Sequence, residues 1–289
     1  MRVLVAGAAG MLGLDVLRAG ERAGHELIGL ARPELDIVDE ASVRAAVQRA
    51  APDAVVNCAA WTDVDGAESS PAEAGAVNAD GAGLLARAAA DAGARMVHVS
   101  TDYVFDGAAP LGRDGRERPY VESDPTGPRS VYGQTKLAGE QQVLAASERH
   151  AVVRSSWLFG TGGRNFAQTM LTLAADRDRV AVVTDQVGCP TWTGHLAPAL
   201  LGLLERDVRG LVHLAGTGWV SWNGFASEIF RQADVDCAVD PATSAEMARP
   251  APRPAWSALE SQREDVLPLP PWQDGLAGFL AARAGMMRA

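Results

Sequence analysis

At positions 100–107 the chain reads S-T-D-Y-V-F-D-G, directly after the apolar run R-M-V-H-V. Ser100, Thr101, Asp102 and Tyr103 therefore stand side by side where a β-strand should end. Polar residues there either solvate the strand end or form half of a catalytic site. About 30 residues on, Tyr132-Gly133-Gln134-Thr135-Lys136 has YxxxK spacing. On a helix, positions i and i+4 share a face, so Lys136 would lie beside Tyr132. As a cation it would favour the phenolate by lowering the tyrosine pKa. Tyr132 then becomes a proton donor to a carbonyl oxygen receiving hydride, and Thr101 a second hydroxyl polarising the same oxygen. A helix-surface Tyr–Lys pair is the bland alternative; the strand-end Ser-Thr upstream argues against it.

Such chemistry needs a hydride source, and the N-terminus supplies a place for one. Gly7-Ala8-Ala9-Gly10-Met11-Leu12-Gly13 follows an apolar stretch and opens a helical pattern, with GxxGxxG rather than GxGxxG spacing. Glycines there permit a tight turn and close approach of the backbone to a pyrophosphate, which the helix N-terminus faces with partial positive charge. The start MRVLVAGAAGMLG mimics a signal peptide, but the glycine spacing fits a dinucleotide loop better. At the end of the expected second strand stands Arg32 rather than an acid, which could pair with a ribose 2′-phosphate and points to NADPH. Glu34 is close by, so NADH stays open. Asp36 is placed to accept from an adenine amino group, and Cys58-Ala59-Ala60 ends another strand with small side chains, as a chain lying against a cofactor requires.

The elements that must position these groups alternate. Strands are expected at Arg2–Ala6, Glu26–Leu30, Ala54–Asn57, Met96–Ser100 and Ala151–Ser155. Helices are expected at Leu12–Ala23, Ala41–Ala50, Ala72–Ala92 and Val131–Ser147. Alternation of this kind predicts βαβ units in an α/β, Rossmann-type doubly wound parallel sheet. Residues 1–160 are expected to form the dinucleotide-binding domain. Residues 161–289 are expected to form a smaller mixed substrate-binding lobe, with the option of the chain crossing back to the sheet. Two Pro/Gly-rich loops, Asp106–Arg118 and Glu122–Arg129, interrupt the first part. The tail Met247–Trp272 should pack as irregular structure through Trp256, Leu259 and Trp272.

With 289 residues, 47% of them hydrophobic, the chain can bury a large core, and its net charge of −10 argues against a sequence-independent grip on nucleic acid or an anionic membrane. No stretch approaches the roughly 18 apolar residues of a membrane span. Cys58, Cys189 and Cys237 are far apart and lack CxxC spacing, which reads as free thiols in a reducing, cytoplasmic compartment without a zinc site.

Taken together these residues resemble the extended short-chain dehydrogenase/reductases and, more narrowly, the dTDP-4-dehydrorhamnose reductases. The matching stretches run nearly end to end: GAAGMLG, ELDI, NCAAWTDVDGAES, the VN at 77–78, VHVSTDYVFDG, PYVESDPTGPRSVYGQTKLAGE, RSSWLFG, GGRNFAQTML, DQVGCPTW and RPAWSALE. STDYVFDG and DQxGxPT are the specific ones. The resemblance implies hydride transfer from a nicotinamide to C4 of a dTDP-linked 4-keto-6-deoxy-L-hexose, giving dTDP-L-rhamnose. It places Thr101, Tyr132 and Lys136 as the catalytic group. It places Gly7, Gly10, Met11, Leu12, Asp36, Ile37, Ala59, Ala60, Tyr132 and Lys136 at the cofactor, and Thr62, Val64, Asp102, Tyr103 and Trp157 at the deoxysugar. Asn165, Gln186 and Arg253 are candidates for the nucleotide part of the substrate, although Asn165 is also well placed as a helix N-cap. Some members bind Mg2+ at a dimer interface, so a homodimer is an expectation; no clustered acidic motif marks the metal's carboxylates here.

The sequence also departs from its relatives. Sugar-nucleotide 4,6-dehydratases use Thr-Asp-Glu where this chain has Thr101-Asp102-Tyr103, so the second carboxylate needed for elimination is missing. Met11 stands where the family commonly has a polar residue. LGRDGRER, ahead of Pro119, looks inserted and reads as a lid, a partner contact or plain surface. Trp61 and Trp192 flank substrate segments and leave room for a related dTDP-deoxysugar of streptose-type biosynthesis. An epimerase, or a silent NADP-binding subunit like that of methionine adenosyltransferase, stays open as a different class.

Overall fold

Val3 to Ala6 and Ala54 to Asn57 have no exposed surface. Side chains on both faces of these strands are covered, the condition under which parallel strands are found. The computed structural model describes residues 1–286, and residues 287–289 of the expected C-terminal lobe lie outside the described residues. The chain runs through β1 (Arg2–Ala6), α1 (Met11–Arg22), β2 (Glu26–Leu30), α2 (Glu40–Ala50) and β3 (Ala54–Asn57). It continues with α3 (Val64–Ser69), α4 (Pro71–Gly75), a π turn (Ala76–Gly81), α5 (Ala82–Asp91) and β4 (Arg95–Thr101). After a 3₁₀ turn at Asp102–Val104 come α6 (Val131–Ala146), β5 (Ala151–Ser155), β6 (Leu158–Phe159), α7 (Phe166–Leu173) and β7 (Arg179–Val183). Then follow β8 (Val187–Gly188), β9 (Thr191–Trp192), α8 (Thr193–Glu205), β10 (Gly210–His213), β11 (Val220–Ser221) and α9 (Trp222–Ala233). The described chain closes with β12 (Ala238–Ala242), α10 (Ser244–Met247) and α11 (Trp272–Met286).

Six parallel strands form the central sheet in the order β10-β5-β4-β3-β1-β2. It is a Rossmann-type doubly wound sheet. The chain leaves β1 toward β2, then returns to place β3 on the other side of β1. The crevice beyond the carboxyl ends of β1 and β3 is thus the switch point, where such sheets bind ligands. One face of the sheet packs against α1 and α8 through Val16, Leu196, Leu200 and Leu203. The other packs against α2, α5 and α6 through Val43, Val47, Leu85 and Val143. A separate cluster of Phe225, Ile229, Leu276 and Phe279 holds α9 and α11 together beside the parallel β7/β12 pair.

The five expected strands are present, with β4 one residue longer at each end than expected. After residue 160 the helical stretch Asn165–Ala175 and the apolar Val180–Val183 correspond to α7 and β7, whereas α8 and α11 escaped the sequence reading because their local signals conflict. The long helix α8 contains Pro198, and α11 carries Gly275, Gly278 and Gly285, all poor formers in a helix interior. The expected continuous helix Ala72–Ala92 is corrected: it is α4, a π turn and α5. Inside the π turn, Asn78 exchanges hydrogen bonds with the backbone of Trp61 (N–H to Oδ1, 2.8 Å; Nδ2 to O, 3.2 Å) and donates to Thr135 Oγ1 at 3.1 Å. Those tertiary bonds override the alanine-rich propensity, as at many functional π turns. The tail around Trp256, Leu259 and Trp272 is buried and bridged to Val187 and Tyr120, as expected. Among the described residues no helix is long and apolar enough to cross a membrane.

Candidate active site

A cleft of about 1200 Å³ opens at the switch point and runs from the glycine loop to the start of α9. At the glycine-loop end the walls are main chain. Gly7 has φ +74°, and a Cβ there would stand 2.7 Å from the Ala59 nitrogen; one on Gly13 would stand 2.3 Å from the Gly7 oxygen. Only glycines let the loop, the end of β3 and α1 close up this far. Gly10 caps α1 without a side chain, so the helix's first N–H groups face the cleft without intrahelical partners. Gly7, Gly10, Met11, Leu12, Arg32, Ile37, Ala59 and Ala60 all line it. This cradle of free N–H groups, with no acidic side chain in the first turn of α1, fits the pyrophosphate of a dinucleotide. Asp36 is not brought to the cleft; its carboxylate turns to the Val38 N–H (3.3 Å) and the exposed Arg32 guanidinium (3.6 Å).

At the other end side chains converge. Thr101 and Asp102 leave the end of β4, and the Thr101 hydroxyl donates to Asp102 Oδ1 at 3.0 Å. Ser130 caps α6 by accepting from the Gly133 N–H at 3.1 Å. Gly133 is the residue that lets this helix start so close: its Cβ would lie 2.2 Å from the Tyr103 oxygen. The Tyr103 and Tyr132 rings consequently meet edge to face at 5.5 Å. Thr101, Asp102, Tyr103, Tyr132 and Lys136 all line the cleft. Burial pushes the Tyr132 phenol up to about 12, with the Thr101 hydroxyl opposing the shift. Burial likewise pushes Asp102 up to about 6, and its Oδ2 has no hydrogen-bond partner. The Lys136 ammonium is pushed down to about 8 by burial, opposed by the charge of Glu140. The expected lowering of the Tyr132 pKa is therefore corrected for the protein without ligands. Lys136 Nζ is turned to the Val99 carbonyl at 2.6 Å and to His98 at 3.3 Å, and burial dominates the phenol.

Residues 1–284 match the family model described as the RmlD substrate binding domain. This chain belongs to the dTDP-4-dehydrorhamnose reductase family. It is 46% identical to a dTDP-4-dehydrorhamnose reductase of Mycobacterium tuberculosis over 98% of this chain and 93% of that one. It is 42% identical to a probable dTDP-4,6-dihydroxy-2-methyloxan-3-one 4-ketoreductase of Streptomyces antibioticus, over 96% and 93% of the two chains. The crystal structure of the dTDP-4-dehydrorhamnose reductase of Bacillus anthracis, in complex with NADP, superposes with a TM-score of 0.92 at 34% identity, covering 97% of this chain and 99% of that chain.

Against that family background, the remaining expected site residues divide. Thr62, Val64 and Trp157 line the cleft, and so does Trp61. Trp157 has φ +49°, an uncommon left-handed conformation for a bulky residue, and lies flat on Trp222 at 3.5 Å. Trp222 lines the cleft and was missed by sequence reasoning: V-S-W-N carries no motif, and only the stack reveals it. Glu73 and Arg164 also line it without a sequence signal. Asn165 does not reach the cleft; its Oδ1 caps α7 at the Gln168 N–H and its Nδ2 donates to Gly160 and Gly163, so the N-cap alternative is the one observed. Gln186 is buried and donates to Ser244 Oγ at 2.8 Å, outside the cleft. Arg253 stands behind the lining. It grips Asp65 with two nitrogens at 2.9 and 3.0 Å and holds that carboxyl down to about 2. Trp192 packs on Gly194 and Gly278 instead of the cleft. The inserted segment forms a small exposed hairpin closed by a Leu111–Glu117 bridge, and none of it lines the cleft.

Proposed function

We propose that this protein reduces the C4 keto group of dTDP-4-dehydro-6-deoxy-L-mannose to dTDP-L-rhamnose with NADPH. The observation that carries this reading is the convergence of Thr101, Tyr132 and Lys136 at the sheet end of a cleft whose other end is a glycine-built anion cradle. Bound there, a reduced nicotinamide supplies the hydride for the C4 carbonyl. Tyr132, kept as a phenol by burial, holds the proton that the carbonyl oxygen takes up. Thr101 polarises that oxygen. Asp102 and Tyr103 face the sugar, and Tyr103 replaces the second acid that an elimination would require. The stacked Trp157 and Trp222 present an aromatic wall to the cleft, which Thr62 and Val64 also line. Arg253 holds the first turn of α3 through Asp65, the residue directly after the cleft-lining Val64.

Arg32 at the mouth favours NADPH over NADH by offering a guanidinium to a 2′-phosphate. Three free cysteines accord with a reducing, cytoplasmic location. Among the described residues no three His, Cys, Asp or Glu side chains gather as cation ligands. The 4-ketoreductase relative from Streptomyces antibioticus makes a related dTDP-deoxysugar the second reading.

The test mixes the purified protein with dTDP-4-dehydrorhamnose made in situ, with NADPH and NADH in parallel. Expected are loss of reduced-cofactor absorbance, formation of dTDP-L-rhamnose, and a faster rate with NADPH. Cofactor that binds and is never oxidised would contradict the reading in favour of a silent binding subunit. Co-purified NAD recycled without net oxidation would favour an epimerase.

A further inference from the structure

From the cleft wall inward, three buried side chains from three elements meet in a row: Lys136 on α6, His98 in β4 and Asn57 at the end of β3. The parallel register sets Asn57 opposite His98. Asn57 Nδ2 lies 3.0 Å from His98 Nδ1, and His98 Nε2 lies 3.3 Å from Lys136 Nζ. The polarity of the row is set at its far end. The Ala59 N–H donates to Asn57 Oδ1 at 3.0 Å, which commits the amide oxygen and leaves the amide nitrogen facing His98. A reversed amide would oppose two donors. The Asn57 N–H then requires an unprotonated Nδ1. Burial, aided by the charge of Lys136, holds His98 well below its ordinary range, so the ring is neutral. A neutral imidazole carries its single proton on the other nitrogen, so Nε2–H points at Lys136. An ammonium has only donors and is opposed by that N–H. A neutral amine accepts from it with its lone pair and still donates to the Val99 carbonyl at 2.6 Å.

We propose that Asn57 and His98 form a tautomer lock that presents a donor to Lys136 and favours its neutral amine, making them positioning residues of the reductase site, an inference that rests on the role given to Lys136 above. The other groups around the amine do not overturn this preference. Glu140, one turn along α6, favours the ammonium through its charge, but that carboxylate is already paired with Arg154 at 2.7 Å and accepts from Ser100 at 2.5 Å. The Cys58 thiol is kept neutral by burial, up to about 12, as is Tyr132 on the preceding turn. Asp102 acts on Tyr132 from the end of β4. Burial brings Lys136 to about 8, so it is charged below that pH and neutral above it, the range in which a donor from His98 can tip it. The ammonium stabilises the phenolate left when Tyr132 gives up its proton. Activity that depends on it is present at lower pH and fades as pH rises through the Lys136 value.

The lock is read directly from the imidazole nitrogen shifts of His98 in ¹⁵N-labelled, ligand-free wild-type protein, assigned through the side-chain connectivity. The expected result is a protonated Nε2 and an unprotonated Nδ1 across the neutral range. A proton on Nδ1, or a charged ring, overturns the proposal whatever the activity. Absent activity with the expected tautomer overturns only the reductase reading. In Asn57→Asp, one carboxylate oxygen keeps the Ala59 N–H and the other accepts from Nδ1, which reverses the tautomer and turns Nε2 into an acceptor for an ammonium. The alkaline limb of kcat/KM, which reports the free enzyme, should move up by about one pH unit or more. A folded Asn57→Asp protein with a reversed tautomer and an unmoved limb would show that His98 does not control Lys136.

Discussion

The two ends of the cleft are built from different materials. The end proposed for the nucleotide is main chain held close by Gly7, Gly10 and Gly13, all within one short stretch of sequence. The end proposed for the sugar is side chains brought together from distant segments, with Trp157 laid on Trp222 and Arg253 reaching Asp65 across 188 positions. A backbone-made site needs residues that lack a Cβ at fixed offsets, so it leaves a local signature. A site made of tertiary contacts leaves none, and there specificity can change without disturbing the cradle or the Thr-Tyr-Lys group between them.

Substitutions can break this contrast or sharpen it. The largest effect belongs to the shared centre. Tyr132→Phe should lower kcat by a factor on the order of 10² or more with cofactor affinity retained, as loss of a general acid requires; stopped-flow turnover with fluorescence titration of NADPH separates the two. A variant turning over at near wild-type rate would move the proton donor elsewhere, with Tyr103 the first suspect. At the nucleotide end, Gly7→Ala places a Cβ against the Ala59 backbone at positive φ. A strain of about 1–2 kcal/mol should weaken NADPH binding roughly tenfold, read by calorimetry, with little change in the affinity for dTDP-sugar. At the sugar end, Arg253→Lys loses the two-nitrogen grip on Asp65 and should raise KM for the sugar nucleotide roughly three- to tenfold. Its dissociation constant for NADPH should stay put. If the two dissociation constants moved together in either variant, the ends would be one cooperative unit. The smallest effect is expected at Arg32, whose side chain is 66% exposed. Arg32→Ala should narrow the ratio of NADPH to NADH kcat/KM by a few-fold, since an exposed ion pair contributes about 1 kcal/mol or less.

What the sequence made legible follows the same division. The first five strands, the glycine cradle and the Tyr132–Lys136 spacing were readable because strands buried on both faces, tight turns and i, i+4 pairs are local patterns. Asp36 was misplaced because a carboxylate two residues past Glu34 finds its own loop partners, Val38 N–H and Arg32. Asn165 had two readings in the sequence, and the helix took the side chain as its cap. The π turn at Ala76–Gly81 was invisible because helix propensity says nothing of Asn78 bonding to Trp61 and Thr135. Trp222 and the polarity of the Asn57–His98–Lys136 row exist only once β3, β4, α6 and α9 are assembled.

The most direct test of the account uses NADPH carrying deuterium at the position transferred. After one turnover with dTDP-4-dehydrorhamnose, mass spectrometry and NMR of the product should find the label on C4 of dTDP-L-rhamnose, with the new hydroxyl proton drawn from solvent. Label that stays on the nicotinamide, or a product that carries none at C4, would contradict the assignment of this cleft as a sugar-nucleotide 4-ketoreductase site.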